Sequence, residues 1–335
     1  MKVIMFSVRD DEEAAIRNWE KKTGVHVDIN DLELDAETVQ RVKGYDGIVI
    51  QQRNRISDPV IYETLEKFGL KQLTSRTAGF DMVDLEQATA HGLAVTNVPA
   101  YSPNSVAELA VTQTMRLIRN LPLFDARGAE QDFRWAGLQA REIRSLTVGV
   151  IGAGRIGGTV ARLFKGLGAT VIANDIVERD DLRDVLNYVS KEELLKTADV
   201  VTLHVPLMES TTHLIDADAL ALMKRDAFLV NASRGPVVDT DALIAALTNK
   251  KVAGAALDTL DGEEHFFNQD LRGKDIPSKQ LKTLRAMPNV LITPHIGFYT
   301  NLAVQNMVEI SLNDVLAILK TGRSEHQVNK VAVES

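Results

Sequence analysis

The glycine-rich turn at residues 152–157 constrains the fold of this chain more than any other feature. Its sequence is Gly-Ala-Gly-Arg-Ile-Gly. An apolar run at residues 146–152 precedes the turn, and an amphipathic segment at residues 156–167 follows it. A second apolar run at residues 170–174 comes next, as expected for a β-α-β unit in which one helix connects two parallel strands. The turn therefore predicts a parallel, doubly wound sheet.

The spacing of the three glycines also predicts a ligand. Gly152 permits the tight turn, Gly154 lets a pyrophosphate approach the backbone, and Gly157 lets helix and strand pack closely. The N–H groups and the dipole at the start of the helix would hold the phosphates. Asp175 ends the second strand, where its carboxylate can accept hydrogen bonds from ribose hydroxyls and repel a 2′-phosphate. The prediction is NAD rather than NADP, although Arg179 nearby in the sequence keeps NADP as an alternative.

Alternating strands and helices are predicted over the rest of the chain. Strands are predicted at residues 2–7, 47–52, 73–78, 93–98, 199–205, 228–231, 252–258 and 289–295, and helices at residues 10–22, 59–69, 105–118, 241–247 and 301–319. The stretch around Arg134 and Trp135 and the polar segment at residues 262–282 are predicted to be irregular. The fold class is therefore α/β, with two doubly wound parallel-sheet domains.

The domain boundaries are inferred from topology, because no repeat or flexible linker marks them. Residues 101–298 are predicted to form a Rossmann domain that binds NAD. Residues 1–100 and 299–335 are predicted to form a flavodoxin-like domain, provided that the last helix returns to the first sheet. The nucleotide-binding domain would then be an insertion, with a cleft between the two domains.

Composition excludes several classes of function. A length of 335 residues with 45% hydrophobic content suits two folded domains. The 46 acidic and 38 basic residues give a net charge of −8, which disfavours nucleic-acid and anionic-membrane partners. The absence of cysteine excludes disulfides, thiolate nucleophiles and cysteine-ligated metals. The N-terminal apolar run is too short for a signal peptide and no membrane span is expected, so a cytoplasmic location is predicted.

Three further segments place reactive side chains at the ends of predicted strands. They lie at residues 230–235, 256–263 and 293–297 and offer an arginine, carboxylates and a histidine. Ligands of open α/β sheets bind at the carboxyl ends of the strands. A permanent cation, a carboxylate and an imidazole at that edge could bind an anionic keto acid and deliver a proton to it.

In this order and spacing, the chain resembles the D-isomer-specific 2-hydroxyacid dehydrogenase family over nearly its whole length. The similar segments are residues 101–108 (YSPNSVAE), the glycine-rich turn, residues 204–206 (HVP), residues 231–236 (NASRGP) and residues 294–300 (PHIGFYT). The resemblance implies a substrate domain formed by both chain ends, a central NAD domain and a homodimer. Members that form D-lactate in bacteria are the most similar, with those acting on D-2-hydroxyisocaproate nearby.

The resemblance also implies the roles of individual residues. The catalytic residues would be Arg234, which binds the 2-oxo acid through its planar fork, His295, which exchanges the proton, and Glu263, which hydrogen-bonds His295 and favours its charged form. The family's acid lies five residues after the aspartate of the Ala-Leu-Asp motif, which selects Glu263 over Glu264. Substrate contacts would come from Ala78, Gly79, Tyr101, Arg234 and His295. Relatives usually have valine where Ala78 stands, so the pocket would be slightly larger here.

Cofactor contacts are implied at a larger set of positions on the central domain. They are Gly152, Gly154, Arg155, Ile156, Gly157, Asp175, Val205, Pro206, Thr211, Ala232, Ser233, Arg234 and Asp258. Thr211 stands where relatives often have asparagine. His204 would shape this site rather than react. No metal site is predicted, because Glu263, Glu264 and His265 are adjacent in the sequence and would not converge on one ion.

The expected activity is the reversible, NADH-dependent reduction of pyruvate or a similar 2-oxo acid to the D-2-hydroxy acid. Preference for larger 2-oxo acids such as 2-oxoisocaproate is one alternative. A non-enzymatic NAD sensor, similar to transcriptional corepressors of the same fold, is an alternative from another class. Its members typically add disordered tails, whereas only residues 320–335 follow the last predicted helix of this chain.

Overall fold

The computed structural model describes residues 1–331. Its strands are β1 (Lys2–Met5), β2 (His26–Ile29), β3 (Gly47–Ile50), β4 (Gln72–Ser75), β5 (Ala94–Thr96), β6 (Thr147–Ile151), β7 (Thr170–Asn174), β8 (Asn187–Tyr188), β9 (Val200–Leu203), β10 (Phe228–Asn231), β11 (Gly254–Leu257) and β12 (Val290–Ile292). Its α-helices are α1 (Glu13–Thr23), α2 (Pro59–Lys67), α3 (Leu85–Ala90), α4 (Pro103–Ile118), α5 (Leu121–Ala129), α6 (Arg155–Gly166), α7 (Lys191–Thr197), α8 (Ala217–Leu222), α9 (Thr240–Thr248), α10 (Lys279–Arg285) and α11 (Asn301–Thr321).

The first compact unit contains Met1–Ser102 and the chain from Tyr299 onward. Its five strands are all parallel, in the order β2-β1-β3-β4-β5. The side chains of alternate β1 residues pack into different cores, because successive side chains of a strand point to opposite faces of the sheet. Val3 and Met5 pack with α1 and α11, whereas Ile4 packs with Tyr62 and Leu65 of α2. The last helix therefore belongs to the core of the first sheet.

The second compact unit comprises Pro103–Phe298. Its seven parallel strands have the order β12-β11-β10-β9-β6-β7-β8. One core lies between the sheet and helices α4 and α6, and the other includes side chains of α7 to α10. The two sheets confirm the prediction of an α/β protein with two parallel-sheet domains.

Several predicted elements were confirmed, and others were missed. β7 and β10 have the predicted bounds, and α2 begins at Pro59 with Asp58 as its N-cap. The edge strands β2 and β8 and five short helices, α3, α5, α7, α8 and α10, were not predicted. These elements have 2 to 9 residues, too few to show a clear hydrophobic period.

Four predictions about local structure were wrong. The segment at residues 262–282 is not wholly irregular, because a 3-10 turn (Glu263–His265) and the start of α10 lie in it. The stretch before residue 134 contains α5. The predicted first helix begins with a separate 3-10 turn, Asp10–Glu12, and the third predicted strand ends at Ser75 instead of residue 78. Residues 76–79 are therefore a loop.

Helix α11 is long and apolar enough to cross a membrane, the one helix among residues 1–331 of which this is true. Half of its most apolar stretch is buried inside the protein. Val308, Leu312 and Val315 pack against β1 and α1 in the core of the first unit. This packing accounts for the apolar character of the helix, as in the core helix of a soluble protein.

Candidate active site

The glycine-rich turn has the shape that a dinucleotide requires. Gly152 has φ +89°, and a Cβ there would lie 2.6 Å from the carbonyl oxygen of His204. A Cβ on Gly157 would lie 1.8 Å from the oxygen of Gly152, so helix and strand meet closely. A Cβ on Gly154 would meet no atom of the described chain within 4 Å. The open space beside Gly154, next to the first residues of α6, Arg155 and Ile156, therefore fits a pyrophosphate.

Asp175 lies directly after β7 and is tied to the turn. Its Oδ2 accepts a hydrogen bond from the N–H of Ala153 at 2.6 Å, and its Oδ1 accepts one from Val177 at 3.1 Å. A carboxylate has about four acceptor positions, so two remain for ribose hydroxyls. Arg179 donates to the carbonyl of Gly154 at 2.9 Å and to Asp181 at 2.7 Å. These bonds engage the cation that could otherwise have favoured a 2′-phosphate.

His204 follows β9 beside the turn. Its Nε2 lies 2.8 Å from the hydroxyl of Thr202, and its Nδ1 is buried without a hydrogen-bond partner among residues 1–331. Burial lowers the pKa of His204 to about 3. The imidazole is therefore neutral near pH 7 and is unsuited to deliver a proton.

The loop after His204 is shaped by Thr211. The hydroxyl of Thr211 donates to the carbonyl of Pro206 at 2.7 Å and accepts from the N–H of Met208 at 2.8 Å. It thereby holds the backbone that contains Val205 and Pro206. The sequence assigned Thr211 to the nucleotide, and that contact stays a prediction.

Asn231, at the end of β10, organises the loop that contains Ala232, Ser233 and Arg234. Its side-chain oxygen accepts from the N–H of Ser233 at 3.0 Å, and its Nδ2 donates to the carbonyl of Arg234 at 2.9 Å. The guanidinium of Arg234 donates to the carbonyl of Ser233 at 2.8 Å. A Cβ on Gly235 would lie 2.2 Å from the carbonyl carbon of Leu260, so this loop directly contacts the loop after β11.

The loop after β11 brings a carboxylate to His295. Nδ1 of His295 is hydrogen-bonded to Oε1 of Glu263, and Oε2 of Glu263 accepts from the N–H of Leu260 at 2.8 Å. The neighbouring Glu264 instead lies 3.3 Å from Nε2 of His265. Both partners of the Glu263–His295 pair are partly exposed. With Nδ1 bound to the carboxylate, Nε2 is the ring nitrogen left to exchange a proton with a substrate.

Asp258 has a role that the sequence did not reveal. Its Oδ1 accepts from the hydroxyl of Thr293 at 2.6 Å and from the N–H of Ile296 at 3.0 Å, and its Oδ2 accepts from Gly297 at 2.8 Å. The N–H of His295, whose φ is +54°, donates to the carbonyl of Asp258 at 2.8 Å. The buried carboxylate therefore holds the loop that presents His295. A nucleotide contact of Asp258 stays a prediction.

The loop at residues 76–79 of the first unit has two adjacent backbone N–H groups that can donate hydrogen bonds to a ligand. The carbonyl of Thr77 accepts from Val98 at 2.9 Å, that of Ala78 from the side chain of Asn97 at 2.6 Å, and that of Gly79 from the Thr77 hydroxyl at 2.7 Å. The N–H groups of Ala78 and Gly79 donate to no other group of the described chain. Two neighbouring N–H groups of this kind can bind a carboxylate.

The predicted substrate residues are divided between the two units. Ala78, Gly79 and Tyr101 belong to the first, and Arg234 and His295 to the second. The carbonyl of Tyr101 accepts from Nδ2 of Asn306 at 2.6 Å, which ties it to α11. Across residues 1–331, no group of three or more His, Asp or Glu side chains could hold a metal ion.

The chain is similar to known proteins of one enzyme family. Residues 111–297 match the model for the "D-isomer specific 2-hydroxyacid dehydrogenase, NAD binding domain". A D-2-hydroxyacid dehydrogenase (NAD(+)) from Clostridioides difficile is 48% identical over 332 residues, covering 98% of this chain and 100% of the relative.

Solved structures are similar over the whole chain. A D-lactate dehydrogenase from Sporolactobacillus sp. is 84% identical, with a TM-score of 0.86 and coverage of 99% of this chain and 100% of that one. A D-2-hydroxyisocaproate dehydrogenase is 37% identical, with a TM-score of 0.91 and coverage of 98% and 100%.

Proposed function

Because this chain belongs to the D-isomer-specific 2-hydroxyacid dehydrogenase family of NAD-dependent oxidoreductases, we propose that it is a D-lactate dehydrogenase. It would reduce pyruvate, or a similar 2-oxo acid, to the D-2-hydroxy acid and catalyse the reverse reaction. The single observation that most supports this function is the Glu263–His295 pair on the loops beside Arg234. We also propose that the protein acts in the cytoplasm, where NADH is available to it.

His295 and Glu263 share the proton chemistry at the carbonyl group of the substrate. When bound, NADH supplies the hydride to the carbonyl carbon. His295 donates the proton from Nε2 to the carbonyl oxygen, and Glu263 stabilises the imidazolium and fixes its orientation. Because Glu263 is itself held by the N–H of Leu260, the imidazole is oriented before the substrate arrives.

Two groups would bind the acid. The guanidinium of Arg234 offers paired N–H donors to the carboxylate or the carbonyl oxygen, a geometry that lysine lacks. The N–H groups of Ala78 and Gly79 would bind the carboxylate. With the carbonyls of residues 77–79 engaged in other hydrogen bonds, the loop can offer its amides without rearranging.

Steady-state oxidation of NADH tests this function directly. The purified protein would be assayed with pyruvate, 2-oxobutyrate, 2-oxoisocaproate and phenylpyruvate, and the stereochemistry of the product determined. We expect the highest kcat/KM with pyruvate and a D product. A preference for 2-oxoisocaproate would favour a D-2-hydroxyisocaproate dehydrogenase, an activity named for one similar structure. NADH binding without turnover of any of the four acids would favour a sensor.

The active form is proposed to be a homodimer. Phe133 and Trp135 are 80% and 82% exposed, and α5 just before them has no fully buried side chain. Exposed apolar side chains clustered in this way are typical of interaction surfaces. Sedimentation equilibrium should give twice the chain mass, and Trp135→Arg should weaken association. Leu167→Arg, at another exposed apolar position of the same unit, should not. A monomeric wild-type protein would contradict the proposal.

A further inference from the structure

A buried ion pair lies beside the loop proposed to bind the substrate carboxylate. Arg76 and Glu12 both have 0% side-chain exposure, although 64 residues separate them in the chain. Nε of Arg76 lies 2.7 Å from Oε1 of Glu12, and Nη2 lies 3.0 Å from Oε2. Burial lowers the pKa of Arg76, with Glu12 acting in the opposite direction. The pair occupies the carboxyl edge of the first sheet.

Arg76 connects strand ends that are not neighbours. Its Nη1 donates to the carbonyl of Phe6 at 2.7 Å, and its Nη2 donates to that of Ser7. Both carbonyls follow β1, whereas Arg76 itself follows β4, and β3 lies between these strands. The backbone N–H of Arg76 also donates to Ile50 at the end of β3, at 3.0 Å. Through its side chain and its backbone N–H together, Arg76 thus ties the start of the loop at residues 76–79 to the ends of β1 and β3.

Glu12 is engaged on both of its oxygens. Besides Arg76, its Oε2 accepts from the backbone N–H of Arg9 at 2.9 Å, and its Oε1 lies 3.2 Å from Nη2 of Arg9. Glu12 therefore couples the position of Arg76 to the turn that follows β1. Loss of either partner would leave a buried charge and free the start of the loop.

Stability alone is a weak reason for such a pair. Removing two charges from water is costly, and well-packed apolar side chains in the place of a buried ion pair often leave stability unchanged or raise it. What apolar side chains cannot supply is the directed set of bonds from Nε, Nη1 and Nη2 to fixed acceptors. The bonds define where the loop at residues 76–79 begins.

We propose that Glu12 and Arg76 are positioning residues that align the N–H groups of Ala78 and Gly79 with the substrate carboxylate. The inference rests on the proposed function of that loop. It assigns to the pair an effect on substrate binding that acts through the backbone, since the side chains themselves are inaccessible to substrate. NADH binds through the other unit, and its affinity should not depend on the pair.

Glu12→Gln and Arg76→Lys test the proposal by separating substrate binding from cofactor binding. Glu12→Gln removes the charge, and Arg76→Lys retains a charge but loses the fork. For both, the KM for pyruvate and the Ki of oxamate, an inert analogue with the same carboxylate, should rise about tenfold to a hundredfold, as for the loss of a hydrogen bond to a charged group. The Kd for NADH should stay within about twofold of wild type.

Glu20→Gln is the matched control. Glu20 pairs with Arg17 at 2.8 Å in the same unit and makes no bond to residues 76–79. This variant should keep wild-type values of KM, Ki and Kd. If it shows the same rise in KM as Glu12→Gln, general loosening of the unit explains the effect and the proposal is wrong.

A double variant, Glu12→Leu with Arg76→Met, separates positioning from stability. It removes both buried charges, so it can be measured even if one of the single variants fails to fold. We expect its thermal midpoint to recover towards wild type while KM and Ki remain raised. Recovery of KM and Ki together with the midpoint would overturn the proposal.

Hydrogen exchange gives a measurement that does not depend on turnover. The N–H groups of Arg76 and Val98, which bond to Ile50 and Thr77, should exchange faster in Glu12→Gln than in wild type or Glu20→Gln. If wild type reduces no 2-oxo acid, the proposed function is wrong, and exchange still tests the role of the pair in holding the loop. If wild type is active and both variants keep its KM, Ki and exchange rates, the inference alone is wrong.

Discussion

The orientation of His295 depends on contacts from two directions. Glu263 binds its Nδ1, and Asp258 accepts from its backbone N–H and from the two residues that follow it. One carboxylate therefore sets the ring and the other sets the loop. A proton donor must be aligned with the atom that it protonates before its acidity matters. Both carboxylates are thus expected to affect the rate, Glu263 through the orientation of the ring and Asp258 through the position of the loop.

Glu263→Gln should lower kcat for pyruvate reduction by about 10²- to 10⁴-fold, the range typical for general acid–base groups and their orienting carboxylates. The variant keeps the shape but removes the charge that stabilises the imidazolium. Steady-state kinetics with saturating NADH measure the effect. Glu264→Gln is the control and should behave as wild type, because Glu264 contacts His265 instead. If Glu264→Gln lost activity while Glu263→Gln kept it, Glu264 rather than Glu263 would be the acid that acts on His295.

Arg234→Lys should lose much more activity than its retained positive charge would suggest. Lysine cannot offer two parallel N–H donors, so the keto acid should bind weakly and out of alignment. The expected fall in kcat/KM is about tenfold to a hundredfold, corresponding to one hydrogen bond to a charged group. Arg234 is also among the implied cofactor contacts, but its fork is assigned to the acid, so the Kd for NADH, measured by fluorescence titration, should change much less than kcat/KM. Turnover and KM close to wild type would refute the bidentate role.

The glycine-rich turn separates positions needed for the fold from one needed for the ligand. A Cβ on Gly157 would overlap the backbone of Gly152, whereas one on Gly154 would enter open space. Gly154→Ala should therefore fold normally and lose NADH affinity. Gly157→Ala should be destabilised even without cofactor. Thermal unfolding with and without NADH distinguishes the two, and an unchanged NADH response in Gly154→Ala would show that the pyrophosphate lies elsewhere.

Asp199 ties strand β9 to its surroundings at the amino edge of the second sheet. Its Oδ1 lies 2.7 Å from Arg141 and 3.1 Å from Lys224, and its Oδ2 accepts from the N–H of Thr147 at 2.7 Å. Burial alone would raise the pKa of Asp199, but these hydrogen bonds outweigh it, so the pKa is lowered. The folded state therefore favours the charged carboxylate.

Asp199→Asn should lower the free energy of unfolding at pH 7 by about 1.5–3 kcal/mol, as for hydrogen bonds to a charged group. Because the pKa of Asp199 is lower in the folded state, its stabilisation is complete above the unfolded pKa of about 3.9 and is lost as pH falls through the folded value. Urea denaturation should thus show a smaller difference in the free energy of unfolding between wild type and Asp199→Asn at pH 3 than at pH 7. Asp180→Asn, at an exposed ion pair, should unfold like wild type at both pH values.

The connectivity of the whole molecule couples the stabilities of its two units. The first unit needs α11, whose Val308 and Leu312 pack with Val3 and Met5, yet the whole second unit lies between these residues in the chain. When the second unit unfolds, it becomes a flexible loop of roughly 200 residues, whose closure costs about 5 kcal/mol of entropy. Unfolding of the second unit should therefore destabilise the first.

This coupling predicts that NADH, which binds the second unit, protects the first as well. At a concentration about 100 times its Kd, NADH should add about 2.7 kcal/mol to the stability of the unit that binds it. Trp19 is buried in the first unit and Trp135 is exposed in the second, so 5-fluorotryptophan gives each unit a ¹⁹F signal. In thermal unfolding, NADH should delay the loss of the native Trp19 signal. An unchanged Trp19 transition would show that the units unfold independently.

The features that could be predicted from the sequence are those formed by residues close to one another along the chain. The glycine-rich turn, β7 and β10, the N-cap Asp58 and the position of His295 after a strand all depend on residues within a few positions of one another. The short elements α7, α8 and α10 were missed because tertiary packing, rather than their own periodicity, stabilises helices of 6 or 7 residues.

By itself, the sequence determined the α/β class, the dinucleotide turn and the side chains able to perform the chemistry, because local patterns specify strands, turns and residue types. Only the tertiary structure decided that Asp258 holds the loop of His295 and that Arg76 meets Glu12. The pairing of Glu263 with His295 was implied beforehand by the family resemblance, and the structure supplied the contact itself. Each of these pairs is formed by loops from different strands, which meet at a sheet edge only once the strands are ordered. Strand order depends on burial over the whole chain, which no local pattern records.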